Sequence, residues 1–330
     1  MTAQSVADLR EILQPIQAEL TQVDAVLEQQ LNSQIPLIGA VGRYVKEGGG
    51  KRIRPALLLL SCRCCGYRGE RAIVLAAVVE LLHAATLLHD DIIDQATLRR
   101  GRRSVNSRWG NDLSVLLGDL LYTKSMSLAL AQDDVEVLKL LSDVTLSMIE
   151  GQVLELERCA DVAVTADDQL DIIRHKTAAL FSACLRIGGM LGGVDPARAR
   201  ALAGYGLNLG ICFQIVDDVL DLTADERTLG KPVASDLREG KLTLPLIFLL
   251  RRAGAPALET VRAVLDDRGF ARVEPRELAR MLRDSGALDE ARALAAHHAA
   301  LARSQLGVLE RSPCREALEA LPEFVLARDH

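Results

Sequence analysis

Apolar residues recur at helical spacing along almost the whole chain. Val6, Leu9, Leu13, Ile16, Leu20, Val23 and Leu27 mark one face of a helix over residues 3–31. A second helix is predicted over Ile35–Glu47, and the glycines at 48–50 then break the chain. Pro55 suits the first turn of the next helix, where its missing N–H is one that has no intrahelical partner anyway. That helix, 55–65, should end near Gly66. Glu70–Gln95 is apolar on every side, the mark of a helix buried inside a larger assembly. Further helices are predicted over 111–131, 133–158, 166–190, 198–222 and 241–252, with Thr165 and Asp195 as N-caps. From 256 the sequence is rich in Ala, Leu, Arg and Glu and reads as three or four shorter amphipathic helices. No stretch alternates with period two between hairpin turns, so no sheet is expected. The pattern predicts one all-α domain over 1–330, with about a dozen helices.

Composition narrows the function classes. The 330 residues are 49% hydrophobic and 25% charged, enough for a large core. Aromatic residues make up only 3%, which favours helices over a β-sandwich. A net charge of −6 argues against a nucleic-acid partner, whose electrostatic footprint would be basic. The start of the chain carries acidic residues instead of the apolar core of a signal peptide. No window approaches the ~18 uninterrupted apolar residues of a membrane span. The seven cysteines, three of them crowded at Cys62, Cys64 and Cys65, lack paired CxxC spacing and read as small hydrophobes in a reducing cytosol. A cytoplasmic location is expected.

The candidate chemistry lies in two matched acidic clusters. Asp90, Asp91 and Asp94 end the long apolar run, and Asp217, Asp218 and Asp221 repeat the DDxxD spacing downstream in FQIVDDVLD. On a helix the first and last of each set share a face, where like charges cost about 0.2–0.5 kcal/mol per pair. One such cluster could be a solvated face. Two, each flanked by apolar residues, point to a cation between them. Oxygen-only ligands without His or Cys at ligand spacing point to Mg²⁺ or Mn²⁺ rather than zinc. Magnesium takes one or two carboxylates and completes its shell with water and phosphate oxygens, so the pair would hold a diphosphate. Basic groups accompany it: Lys51 and Arg54 after the triple glycine, Arg99 and Arg100 after the first cluster, and Lys176, Lys231 and Lys241 further on. Guanidinium forks match phosphate oxygens bidentately.

These residues carry a resemblance. GGGKRIRP (48–55), ELLHAATLLHDDIID (80–94), LRRGRRSVN (98–106), GDLLYTKS (118–125), KTAALFSA (176–183), FQIVDDVLD (213–221) and LGKPVASDLREGKLTLPLI (229–247) occur in the order found in all-trans polyprenyl diphosphate synthases. The likeness spans about 40–247; beyond 250 the chain is similar only in being helical and alanine-rich. It implies a helical bundle around a central cavity and a homodimer. It further implies head-to-tail addition of isopentenyl diphosphate to an allylic diphosphate, with three Mg²⁺ per site. Asp90, Asp91, Asp94, Asp217, Asp218 and Asp221 would bind the metal on the allylic diphosphate. Arg99, Lys176 and Lys231 would contact that diphosphate. Lys51, Arg54, His83 and Arg100 would hold isopentenyl diphosphate. Thr177 and Gln214 would line the reaction centre, and Lys241 would help close it. One departure is Ala234, where many relatives have glycine.

Ala85 and Thr86 stand five and four positions before Asp90, about one turn back along the helix. Short-chain members of the family often carry a bulky aromatic there that stops chain growth. Small residues at both positions predict a medium- or long-chain product, octaprenyl being the best single assignment. Small residues also permit close helix packing, and a farnesyl or geranylgeranyl synthase is the alternative within the chemistry. A terpene cyclase would lack GGGKRIRP. A silent subunit of a heteromeric synthase would be free to lose sites that are intact here.

Overall fold

The computed structural model describes residues 8–223 and 233–328. Its helices are α1 (Leu9–Ile12), α2 (Gln17–Leu31), α3 (Pro36–Glu47), α4 (Ile53–Cys64), α5 (Arg71–Ile93), α6 (Val105–Trp109), α7 (Asn111–Leu130), α8 (Val135–Glu157), α9 (Ala166–Ile173), α10 (Ala179–Leu191) and α11 (Pro196–Thr223). After the undescribed segment come α12 (Ser235–Arg238), α13 (Leu244–Ala253), α14 (Ala255–Asp267), α15 (Pro275–Asp284), α16 (Ala287–Ser304) and α17 (Pro313–Leu326). The protein is all-α, as the periodicity predicts.

Three local departures have physical causes. The first predicted helix is interrupted by a 3₁₀ turn at Gln14–Ile16, where Pro15 removes a backbone donor. The expectation of no strand is corrected by a minimal hairpin, β1 (Leu98–Arg99) and β2 (Arg102–Arg103), paired antiparallel. Arg100 and Gly101 turn it at φ 52° and 73°, the two positive values a two-residue turn requires. Strands two residues long leave no alternation to read. The predicted helix over 166–190 contains a π turn at Arg174–Ala178 between α9 and α10. Such turns recur at functional sites, and this one carries Lys176 and Thr177.

Both predicted N-caps form. Thr165 and Asp168 make a reciprocal capping box, and Asp195 accepts from the backbone N–H groups of Ala197 and Arg198 at 2.8 and 3.0 Å. Buried α5 packs along α7, α4 and α2, while α11 packs along α10 and α16. Two glycines set the second packing. A Cβ at Gly206 would lie 2.7 Å from the Phe181 carbonyl oxygen, and one at Gly210 would lie 2.6 Å from Ala178 Cα. Only glycine allows α11 that close to the π turn, and the approach brings Gln214 to Thr177. By length and composition α5 and α7 could each cross a membrane, but α5 is largely buried against its neighbours.

Candidate active site

The first acidic cluster stands at the C-terminal end of its helix, with Asp94 the C-cap of α5, and the second lies in the last described turns of α11. A helix C-terminus carries the negative end of the dipole, so Asp90, Asp91 and Asp94 sit where the backbone field disfavours them. Groups brought from elsewhere compensate, differently for each cluster.

Cations hold the first cluster. Asp91 is 3% exposed and accepts from Arg99 Nε at 2.6 Å. Lys241 Nζ lies 2.8 Å from Asp94 Oδ2, 2.9 Å from Glu239 Oε2 and 3.9 Å from Glu155 Oε2. Lys176 donates to that same Glu155 oxygen at 2.5 Å. Burial pushes the Asp90 carboxyl above its ordinary value, with Lys176 pulling the other way. Asp91 is shifted up for the same reason against the opposing pull of Arg99. For Lys241 burial disfavours the charge, but Glu155, Asp94 and Glu239 outweigh it and keep the ammonium protonated well above the usual lysine range.

In the second cluster Asp218 is held by a neutral donor. Gln214 Nε2 donates to Asp218 Oδ1 at 2.9 Å, and its own Oε1 accepts from Thr177 Oγ1 at 2.9 Å. Asp221 Oδ2 accepts from the Asp236 backbone N–H at 3.2 Å. Asp217 takes a cation, Arg328 Nη1 at 2.7 Å, whose guanidinium also stacks on Phe213 at 4.7 Å. Burial, with Asp236, Asp217 and Asp221 adding repulsion, raises the Asp218 carboxyl well above the carboxylate range.

A basic pocket adjoins both. The Arg54 guanidinium is 5.0 Å from the centre of the Phe181 ring and within electrostatic reach of Glu80 and Asp217. His83 is pushed well below its ordinary pKa by burial and then by Arg54, Arg100, Arg99 and Arg52, so it is neutral at pH 7. Arg100 donates to the carbonyls of Gly48 and Gly49, tying the hairpin to the glycine loop. Arg52 bridges Glu80 at 2.7 Å and Asp24 at 3.0 Å. Ala84, Leu87 and Leu88 line a cleft together with Glu80, His83, Asp91, Arg99 and Arg100. Lys51 borders a neighbouring cavity together with Arg10 and Arg328.

Most of the residues singled out in the sequence therefore fall in one region. Lys231 lies outside the described residues. Ala85 is 2% exposed, packed inside the bundle, and Thr86 Oγ1 donates to the His83 carbonyl at 2.9 Å. Glu80, Glu155, Glu239, Arg52 and Arg328 join the site without having been anticipated. Glu80 was accessible in principle, being three residues before His83 on the same helix face. Glu155 and Arg328 had no signal, because a lone charge on a helix, or just past the end of one, looks like a solvated one.

The fit to magnesium rests on this geometry. Among the described residues no three His, Cys, Asp or Glu side chains converge as a metal cage. Magnesium needs only one or two carboxylates per ion, however, and every donor in the two clusters is a hard oxygen. Asp218 Oδ2 is buried with no hydrogen-bond partner among the described residues. That atom suits a cation. The residues fit the ion.

Comparison with known proteins decides the family. The polyprenyl synthetase family model matches residues 35–279. The chain belongs to that family. It is 37% identical over 312 residues to octaprenyl diphosphate synthase of Escherichia coli K12, covering 94% of this chain and 96% of that one. It is 38% identical over 286 residues to a short chain isoprenyl diphosphate synthase of Methanothermobacter thermautotrophicus, covering 86% and 87%. A crystal structure of polyprenyl synthase from Caulobacter crescentus, complexed with calcium and isoprenyl diphosphate, superposes with a TM-score of 0.94 at 35% identity, covering 99% of this chain and all of that one.

Proposed function

We propose that this polyprenyl synthetase adds isopentenyl diphosphate head-to-tail to an allylic diphosphate, releasing diphosphate and giving an all-trans product of medium or long chain. One observation carries the reading: two buried aspartate clusters and a basic pocket sharing one region, with Lys176 within reach of Asp90 and Arg54 within reach of Asp217. An anion of high charge and a divalent cation would each neutralise what the other leaves. The neighbouring structure with calcium and isoprenyl diphosphate supports both.

In this reading Asp90, Asp91, Asp94, Asp217, Asp218 and Asp221 would hold Mg²⁺. When bound, the metal supplies charge neutralisation of the allylic diphosphate. Arg99, Lys176 and Lys241 face the same diphosphate and stabilise it as the allylic C–O bond breaks. Lys51, Arg54 and Arg100 grip isopentenyl diphosphate. Burial lowers the pKa of Arg54 and Arg100, so a bound anion restores what desolvation cost them. Neutral His83 contributes an N–H without adding repulsion among those cations. Thr177 and Gln214 place a polarised amide beside the carbocation. The alkene of isopentenyl diphosphate attacks that carbon, and the departing diphosphate, still held by Lys176 and Lys241, takes the proton released. The apolar bundle keeps water away.

The surface supports a homodimer. Leu146, Ile149, Val153 and Leu156 of α8 are 51–58% exposed at 3-4-3 spacing, a stripe along one helix face. Leu116 and Leu130 of α7 are also exposed, at 65% and 66%. A second copy would cover this surface, and Val153→Glu should shift the protein toward monomer in light scattering. For chain length, Ala85 and Thr86 favour an octaprenyl-like product. Incubation with farnesyl diphosphate, isopentenyl diphosphate and Mg²⁺ tests the activity: absence of diphosphate release overturns it. Chromatography of the product tests the length, and Ala85→Phe should shorten it by several isoprene units.

A further inference from the structure

We propose that Glu155 is a positioning residue that holds Lys176 and Lys241 side by side to receive the allylic diphosphate. The proposal rests on the functional reading above, in which those lysines face that diphosphate. Glu155 lies near the end of α8 and its side chain is 14% exposed. Its Oε2 accepts from its own helix and from the π turn, and a second ammonium lies within ion-pair distance. Lys176 Nζ from the π turn is at 2.5 Å, Gln152 Nε2 from α8 is at 3.3 Å, and Lys241 Nζ from the segment before α13 is at 3.9 Å.

The backbone enforces this meeting. A Cβ at Gly151 would stand 2.8 Å from the Lys176 backbone nitrogen, so α8 and the π turn touch only because residue 151 is glycine. Lys241 is itself drawn toward Asp94 and Glu239 at 2.8 and 2.9 Å. Lys176 has no ion pair other than Glu155 among the described residues. Two ammonium groups this near repel, and a shared carboxylate is what lets them stay together. Glu155 is too occupied with lysines to be a metal ligand, so its effect on substrate passes through them. It couples the π turn to the first acidic cluster by one chain of contacts, Lys176–Glu155–Lys241–Asp94.

The test is steady-state kinetics of the full-length enzyme with each substrate varied separately. Glu155→Gln should lower kcat/KM toward farnesyl diphosphate about tenfold and leave KM for isopentenyl diphosphate within twofold. Glu155→Asp, which keeps the charge, should recover most of the loss. In a Lys176→Met background Glu155→Gln should cost less than threefold, because the partner it acts through is gone. The proposal is overturned if Glu155→Gln leaves farnesyl diphosphate kinetics unchanged while Lys176→Met impairs them. It is equally overturned if Glu155→Gln impairs both substrates alike, or if the two substitutions multiply in full. Should Lys176→Met itself leave farnesyl diphosphate kinetics untouched, the placement of that substrate falls, and the positioning role with it.

Discussion

The two acidic clusters have the same spacing, yet Asp218 in the second is held differently from Asp91 and Asp94 in the first. Arg99 and Lys241 sit directly on Asp91 and Asp94, whereas Asp218 accepts from the Gln214 side-chain amide. The difference is one of reserve. A carboxylate already paired with a cation has its charge answered, and an incoming metal must share or displace that partner. Asp218, fully buried and held by the Gln214 amide, has its pKa raised well above the carboxylate range, whereas Arg99 offsets part of the upward push of burial on Asp91. Asp91 and Asp94 are answered by cations of the fold; Asp218 is the carboxylate that a bound cation would relieve.

The sharpest way to break this contrast is Asp218→Asn. It should lower turnover by about a thousandfold, as loss of an electrostatic contact at the reacting groups does. It should also stabilise the metal-free protein. The folded pKa of Asp218 is raised by burial, so its favourable contribution is complete below the unfolded carboxylate value and is lost as pH rises through the folded one. Asparagine removes that loss. In chelator the variant should melt about 1–3 °C above the parent at pH 8, with the gain shrinking toward pH 4. A variant that melts lower at both pH values would show that Asp218 is not the strained group.

Lys241→Met, at the first cluster, should do the reverse. It leaves Asp94, Glu239 and Glu155 without their common cation, and breaking a mostly buried pair of this kind costs about 3 kcal/mol. Turnover should fall by about a hundredfold, but here the melting temperature should fall with it, in metal-free protein most of all. Added Mg²⁺ should recover part of the stability, because the ion answers the same charge. Failure of Mg²⁺ to protect the variant would separate Lys241 from the metal site.

Arg328→Gln probes a cation that the second cluster does carry. The guanidinium on Asp217 at 2.7 Å competes with any ion drawn to that carboxylate. Its removal should lower the half-saturating Mg²⁺ concentration about fivefold, reading the lost charge-assisted contact as freed binding energy. A rise in that concentration would mean Arg328 assists metal binding instead of opposing it.

What the chain discloses in advance follows from how local each cause is. Helical periodicity is repeated many times over, so α5 and α11 were readable, and the aspartates at their ends could be placed on a face by spacing alone. The π turn at Lys176 depends on α8 and α11 crowding the same few residues, and nothing in RHKTA announces it. Arg99 and Arg100 were readable as phosphate-matching cations, but the hairpin that turns between them and Arg102–Arg103 was too short to show. Glu155 and Arg328 draw their importance from partners 21 and 111 positions away. Distances of that kind are set by packing and leave no mark at either end.

Ala234 joins the local and the global. It sits at φ 54°, in the left-handed region, where many relatives have glycine. Its backbone N–H donates to the Asp221 carbonyl at 2.8 Å, fixing the loop against the second cluster. Alanine there carries a left-handed penalty of about 1–2 kcal/mol. Glycine would relieve it, but would cost about 0.5–1 kcal/mol in chain entropy and about 0.8 kcal/mol for the lost methyl, which is 1% exposed. The three contributions nearly cancel. Ala234→Gly should therefore move stability by less than about 0.5 kcal/mol and leave turnover intact. Ala234→Val, branched at Cβ and strained at positive φ, should destabilise the loop and weaken the Mg²⁺ binding proposed for Asp221. Denaturant melts of the two variants check both, and a stabilisation above 1 kcal/mol by glycine would show that the buried methyl contributes nothing to the packing around the second cluster.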